Sequence, residues 1–130
     1  MSQPHIRQAA RVATFSLEEA SLESGEALVV VHGELDLFTA PELREQLRAQ
    51  VDRGAARLVV DLADCSFVDA SGSHALLTAS RRLAGHGGRL AIVNTNPAIA
   101  RVFAVMGLDE LFPVVATRAE AVAALRNRTP

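Results

Sequence analysis

A chain of 130 residues fits one compact domain, and 49% hydrophobic against 22% charged residues is the balance of a globular protein, not of a disordered tail. With no Trp or Tyr and only five Phe, the core is mostly aliphatic, and stacking of bases or sugars on aromatic rings is largely excluded. A net charge of −2 lacks the concentrated basic face of a nucleic-acid binder, so Arg57, Arg81, Arg82 and Arg89 are either a local patch or ordinary surface arginines.

Residues 1–10 are polar or small and predict a flexible N-terminal segment. They lack an uninterrupted apolar stretch of the secretory type, and no later run is long enough to cross a bilayer. The expectation is a cytoplasmic protein without membrane insertion. Arg11–Leu17 alternates as a short edge-type strand, and the charged run Glu18–Glu26 ends in a turn at Ser24-Gly25. Ala27–Val31 is a second, β-branched strand, and the two predict a hairpin. Thr39 then offers a helix cap and Pro41 suits the first turn; Leu43, Leu47 and Val51 form one stripe, and Gly54 stops the helix. Leu58–Leu62 is a continuous apolar run, as expected of a covered parallel strand.

After a short loop, a second helix spans Ser73–Ala84, with its start at or beside Ser71, and ends in the Gly85–Gly88 turn. Arg89–Val93 is a fourth strand, Ala98–Met106 a helix closed by Gly107, and Phe112–Val115 a short fifth strand. Thr117 caps a last helix from Ala119. The order ββαβαβαβα requires a largely parallel sheet, and right-handed crossovers place the helices mainly on one face. Residues 11–126 form the domain and residues 127–130 a tail.

Few constellations suggest catalysis. His5, His32, His74 and His86 are scattered without metal-ligand spacing, and the lone Cys65 permits neither an intrachain disulfide nor a thiolate metal site; no metal or cofactor is expected. Cys65 is either a buried structural thiol or a redox sensor. Ser71 with His74 three residues on invites a nucleophile–base reading, with Asp69 or Asp36 as the orienting carboxylate. Adjacent helical turns rarely align a hydroxyl and an imidazole, and no oxyanion hole is apparent, so the chain is not expected to be an enzyme. Asp69 stands where a helix start leaves amides unpaired, and suits an N-cap. The same place would tolerate a phosphate on a neighbouring serine, where Asp36 and Asp69 would repel it and a partner surface matched to the neutral hydroxyl would lose affinity.

Two blocks carry a family resemblance. VVHGELDLFTAPELREQL is similar to the early strand–loop–helix segment of STAS domains, and LVVDLADCSFVDASG to their central signature of strand, Asp-Leu, loop and Asp-Ala-Ser-Gly. LAIVNTNPAIARVFAVMGLDELFPVVATRAEAV resembles the later segments, so the likeness runs from about Arg11 to Leu125. It implies an α/β fold: a STAS-like mixed, partly parallel sheet of four to five strands with helices packed mainly over one face. It also implies an anti-sigma factor antagonist. Such a protein binds an anti-sigma factor that is also a serine kinase of the histidine-kinase-like ATPase class, so freeing a sigma factor; phosphorylation breaks the complex and a phosphatase restores it. The alternative keeps the fold in a non-phosphorylated scaffold or accessory subunit of a signalling or lipid-transport complex.

The family's usual acceptor follows the aspartate directly, and here that residue is Ala70, which has no hydroxyl. Ser71 is then the phosphoacceptor candidate, supported by Asp36, Asp69 and Gly72, or it only satisfies helix-start amides in a constitutive binder. Ser73-His74 stands where the family has Leu and a small residue, which could retune partner choice. The resemblance marks Leu37, Phe38, Thr39, Ala70, Ser73, His74 and Phe103 as partner-binding candidates. Phe103 belongs to a stripe with Ile99, Val102 and Met106 that serves either the core or a partner groove.

Overall fold

A computed structural model describes residues 15–126 of the chain. The expected segments at 1–10 and 127–130, and the first part of the strand expected at Arg11–Leu17, lie outside them. Among the described residues six strands form the sheet: β1 (Ser16–Ser21), β2 (Ala27–Leu35), β3 (Arg57–Asp61), β4 (Cys65–Val68), β5 (Arg89–Val93) and β6 (Val114–Val115). The described residues also form the helices α1 (Ala40–Asp52), α2 (Ala70–Gly85), α3 (Pro97–Met106) and α4 (Arg118–Arg126), with a 3₁₀ turn at Leu108–Glu110.

The strand order is β1-β2-β3-β5-β6, antiparallel at β1–β2 and parallel elsewhere, and β4 pairs in parallel with the far end of β2. Because the order never reverses, crossovers of one hand leave α1, α2 and α3 on the same face. Val29, Val31, Leu58, Val60, Leu90 and Ile92 point to that face and meet Leu43 and Leu47 of α1, Leu76 and Leu83 of α2, and Ile99 and Phe103 of α3. The alternate residues Leu28, Val30, Val59, Ala91 and Val93 meet Ala121 and Leu125 of α4 on the other face. Helices mainly over one face of a mixed sheet is therefore what the chain builds. Each fully buried Leu or Ile contributes about 1.5–3 kcal/mol of burial. A clamp fixes α4: Arg118 Nε donates to the buried Asp61 Oδ2 at 2.7 Å, while Asp61 Oδ1 accepts from the Ala63 amide at 2.8 Å.

The sheet has six strands where four to five were expected, because Cys65–Val68, read as a loop, pairs with Gly33–Leu35 across a register shift. β1 runs past the expected Leu17 to Ser21, so that Glu18 and Glu19, read as the start of a charged run leading to the turn, lie within it. An edge strand tolerates them: Glu18 meets His32, and Glu19 Oε1 accepts from Gln50 at 2.9 Å and Arg53 at 2.8 Å, tying β1 to α1. Helix α2 starts at Ala70, beside Ser71 as expected and three residues ahead of Ser73, because Asp69 caps it. Thr117 and Glu120 close the start of α4 reciprocally, the Glu120 amide donating to Thr117 Oγ1 and the Thr117 amide to Glu120 Oε1, both at 3.1 Å.

Candidate functional site

Strands β2 and β4 end side by side, with Leu35 opposite Val68. The next residue of each chain segment is an aspartate, and each turns its carboxylate onto backbone amides. Asp36 is only 8% exposed, and its Oδ1 accepts from the amides of Phe38 at 2.9 Å and Thr39 at 3.1 Å. Asp69 is the N-cap of α2, its Oδ1 accepting from the Gly72 amide at 3.0 Å. Both carboxylates thus shape the loops that enter the two helices.

Thr39 does not cap α1 with its side chain, as its position in the sequence suggested. Its hydroxyl donates to the Glu34 carbonyl at 2.8 Å and accepts from the Asp36 amide at 2.9 Å, and the Ala40 amide instead finds the Asp36 carbonyl at 2.8 Å. The tight loop leaves Leu37 at 64% and Phe38 at 79% exposure, a large apolar surface turned toward solvent.

At the start of α2, Ala70 is exposed, Ser71 half-buried and His74 exposed, while Gly72 and Ser73 are buried. Ser71 and His74 line one groove with Leu37, Ala40, Pro41 and Arg44. Among the described residues no hydrogen bond joins Ser71 to His74, so the two share a surface without forming a nucleophile–base pair. Ala70 separates this groove from an apolar one lined by Ala98, Arg101, Val102, Val105 and Met106 of α3.

Two partner-binding candidates are misplaced. Ser73 is fully buried, with its hydroxyl unpartnered, because it falls on the core side of α2 beside Gly72. Phe103 is also fully buried, packed edge-on against Phe112 with ring centroids 6.3 Å apart. The large apolar side chains that α3 turns outward are Val105, 82% exposed, and Met106 beside it. Sequence reasoning passed over Val105 because it lies off the stripe of Ile99, Val102, Phe103 and Met106. Phe67, 47% exposed in β4, was likewise missed.

The remaining candidates have structural settings. Cys65 is buried, its thiol donates to the Phe67 carbonyl at 3.3 Å, and burial pushes its pKa above the ordinary value, opposite to what a redox-reactive thiol needs. Arg57 and Arg89 are register partners at the sheet end opposite the grooves. Among the described residues, no group of three or more His, Cys, Asp or Glu is arranged to hold a metal ion, and no helix is long and apolar enough to cross a membrane.

The fold and its grooves define a small α/β domain that presents a neutral hydroxyl amid exposed apolar side chains, the attributes of a binding module. The chain belongs to the STAS domain family, whose profile matches residues 20–121. An anti-sigma-B factor antagonist of Bacillus subtilis is 31% identical over 88 residues, covering 68% of this chain and 80% of the relative. The crystal structure of an anti-sigma factor antagonist from Mycobacterium paratuberculosis superposes with a TM-score of 0.80 at 30% identity, covering 87% of this chain and 95% of that one. The Bacillus cell fate determinant SpoIIAA, solved in its phosphorylated form, superposes with a TM-score of 0.64 at 27% identity, covering 86% and 99%.

Proposed function

We propose that this chain is a cytoplasmic anti-sigma factor antagonist, a regulator of transcription and not an enzyme. Residues 11–126 act as one binding unit. Its partner is an anti-sigma factor that is also a serine kinase of the histidine-kinase-like ATPase class, and capture of that partner releases a sigma factor. The contact face comprises Leu37 and Phe38, the start of α2 at Ala70, Ser71 and His74, and the outer side of α3 at Val105 and Met106. One observation carries this reading: the Ser71 hydroxyl lies in a groove beside the large exposed side chain of Leu37, with Phe38 next to it. Apolar anchors around a small polar centre are what a protein partner grips. That SpoIIAA was solved in a phosphorylated form supports a switch of the same kind here.

Phosphorylation of Ser71 switches the contact off, and a phosphatase restores it. The kinase supplies ATP and magnesium; this chain supplies the acceptor. Incubation with ATP and the host's kinases, followed by peptide mass spectrometry, should place one phosphate on Ser71. Ser71→Asp should weaken the kinase complex at least tenfold, and a variant that binds every such kinase as well as wild type would refute the switch.

Ala70 favours a second reading. It is exposed at the first position of α2, where the family's usual acceptor stands, and it has no hydroxyl. A non-phosphorylated scaffold or accessory subunit of a signalling or lipid-transport complex would need none. Co-purification with a transporter ATPase and not with a kinase would select it.

A further inference from the structure

The groove that holds Ser71 also holds a guanidinium without a carboxylate. Arg44, on α1, lines it with Ser71, His74, Pro41 and Leu37. It is exposed, and among the described residues nothing pairs with it, although Arg48 one turn on is engaged by Glu45 and by Asp52 at 2.9 Å. The carboxylates that shape the two helix entries each commit an oxygen to backbone amides, Asp36 to Phe38 and Thr39 and Asp69 to Gly72. An anion entering this groove therefore meets an unpaired cation on one wall and the imidazole of His74 on the other.

We propose that Arg44 receives the phosphate of phosphorylated Ser71 within the same chain and folds it into the α1–α2 groove. The inference rests on Ser71 being the acceptor and adds how the modification acts: an internal anion plugs the surface beside Leu37, in addition to repelling a partner. In the transfer, Ser71 Oγ bonds to the γ-phosphorus of ATP as the bond to ADP breaks, ADP leaves, and the hydroxyl proton passes to solvent. The resulting group carries about −1.5 to −2 charges near neutral pH. A guanidinium fork matches two of its oxygens in parallel hydrogen bonds, a geometry an ammonium cannot reproduce. His74, three residues after Ser71 on the same helical face, adds a ring nitrogen donor.

The test installs phosphoserine at position 71 during synthesis, so that no kinase is needed, and follows the phosphate by ³¹P NMR as a function of pH. In the wild-type background its second ionisation should fall below the usual value of about 6 by roughly half a pH unit, as a neighbouring cation favours the dianion. Arg44→Gln should restore the usual value, and Arg44→Lys should keep part of the depression. Amide signals of Leu37 and Ala40 should move on phosphorylation in the wild-type background and stay in place in Arg44→Gln. Identical titrations in all three backgrounds would overturn the proposal. Failure of the acceptor reading appears separately, as the absence of phosphate at Ser71 after incubation with kinases.

Discussion

Gly72 lies so close to Leu35 that a Cβ on it would stand 2.8 Å from the Leu35 carbonyl oxygen and 2.7 Å from Leu35 Cγ. This contact seats the start of α2 on the end of β2, and the same carbonyl accepts from the Asp69 amide at 3.2 Å, so it cannot simply move away. The arrangement sets the height at which Ser71 meets the α1 loop.

Gly72→Ala tests that seat. Helix propensity alone favours Ala over Gly by about 1 kcal/mol, but overpacking against a hydrogen-bonded backbone costs about 1–3 kcal/mol or more and should win. At Gly85, in the same helix, a Cβ would meet nothing within 4 Å. Gly85→Ala should therefore be neutral or stabilising. Urea denaturation of both variants checks the pair, and equal midpoints would show that the seat yields.

Ser73 buries a hydroxyl that no described group satisfies. Leaving such a group without a partner costs about 1–3 kcal/mol, whereas a methyl at the same place loses almost no packing. Ser73→Ala should raise stability by about 1 kcal/mol, read as a higher denaturation midpoint, with partner affinity unchanged because the side chain is inaccessible. A drop in stability would mean that the hydroxyl makes a bond of value in solution.

The pattern of what was legible follows from where the information lies. The β2, β3 and β5 runs are aliphatic and covered on both faces, so their apolar continuity alone identifies them. Gly54 and Gly107, at φ 94° and 74°, end helices as their positions suggested. Strand β4 was not legible: Ser66 and Phe67 are exposed, its four residues show no periodicity, and its pairing with β2 is a non-local fact. Asp69 could be read as a cap from its place before a helix. The fate of Phe103 and Val105 could not, because spacing identifies an apolar stripe without saying whether anything beyond the core meets its margin. Phe38 owes its exposure to the amide bonds of Asp36, which nothing in the local composition announces.

Phe38 is the strongest candidate for a partner anchor, since it is 79% exposed and its ring contributes little to the core. Phe38→Ala should leave folding stability within about 0.5 kcal/mol of wild type, as expected of a surface substitution. Affinity for the proposed anti-sigma factor partner should fall by at least tenfold, as for a truncated aromatic anchor, about 1.4 kcal/mol or more. Calorimetry with the purified partner measures the second quantity. Unchanged affinity would move the contact face away from the α1 loop.

Glu26 gives the fold a defined sensitivity to acid. Its side chain is wholly buried at the turn into β2, where Ser24 Oγ donates to Oε1 at 2.7 Å, while Arg126 Nε stays 3.9 Å from Oε2. The Ser24 hydrogen bond, chiefly, holds its pKa below the ordinary 4.5; Arg126 and Arg57 add to this, and burial opposes it. The folded state thus binds this proton less readily than the unfolded chain. The associated stability is fully present above about pH 4.5 and is lost as the pH falls through the lower folded value. Glu19, depressed mainly by the Gln46 hydrogen bond, acts in the same direction and window. Glu26→Gln should unfold more easily at neutral pH, yet its denaturation midpoint should decline less steeply than wild type below pH 4.5, because one linked proton has been removed. Parallel decline of the two curves would show that Glu26 takes up its proton equally in both states, and would assign the acid sensitivity to Glu19 and the other surface carboxylates.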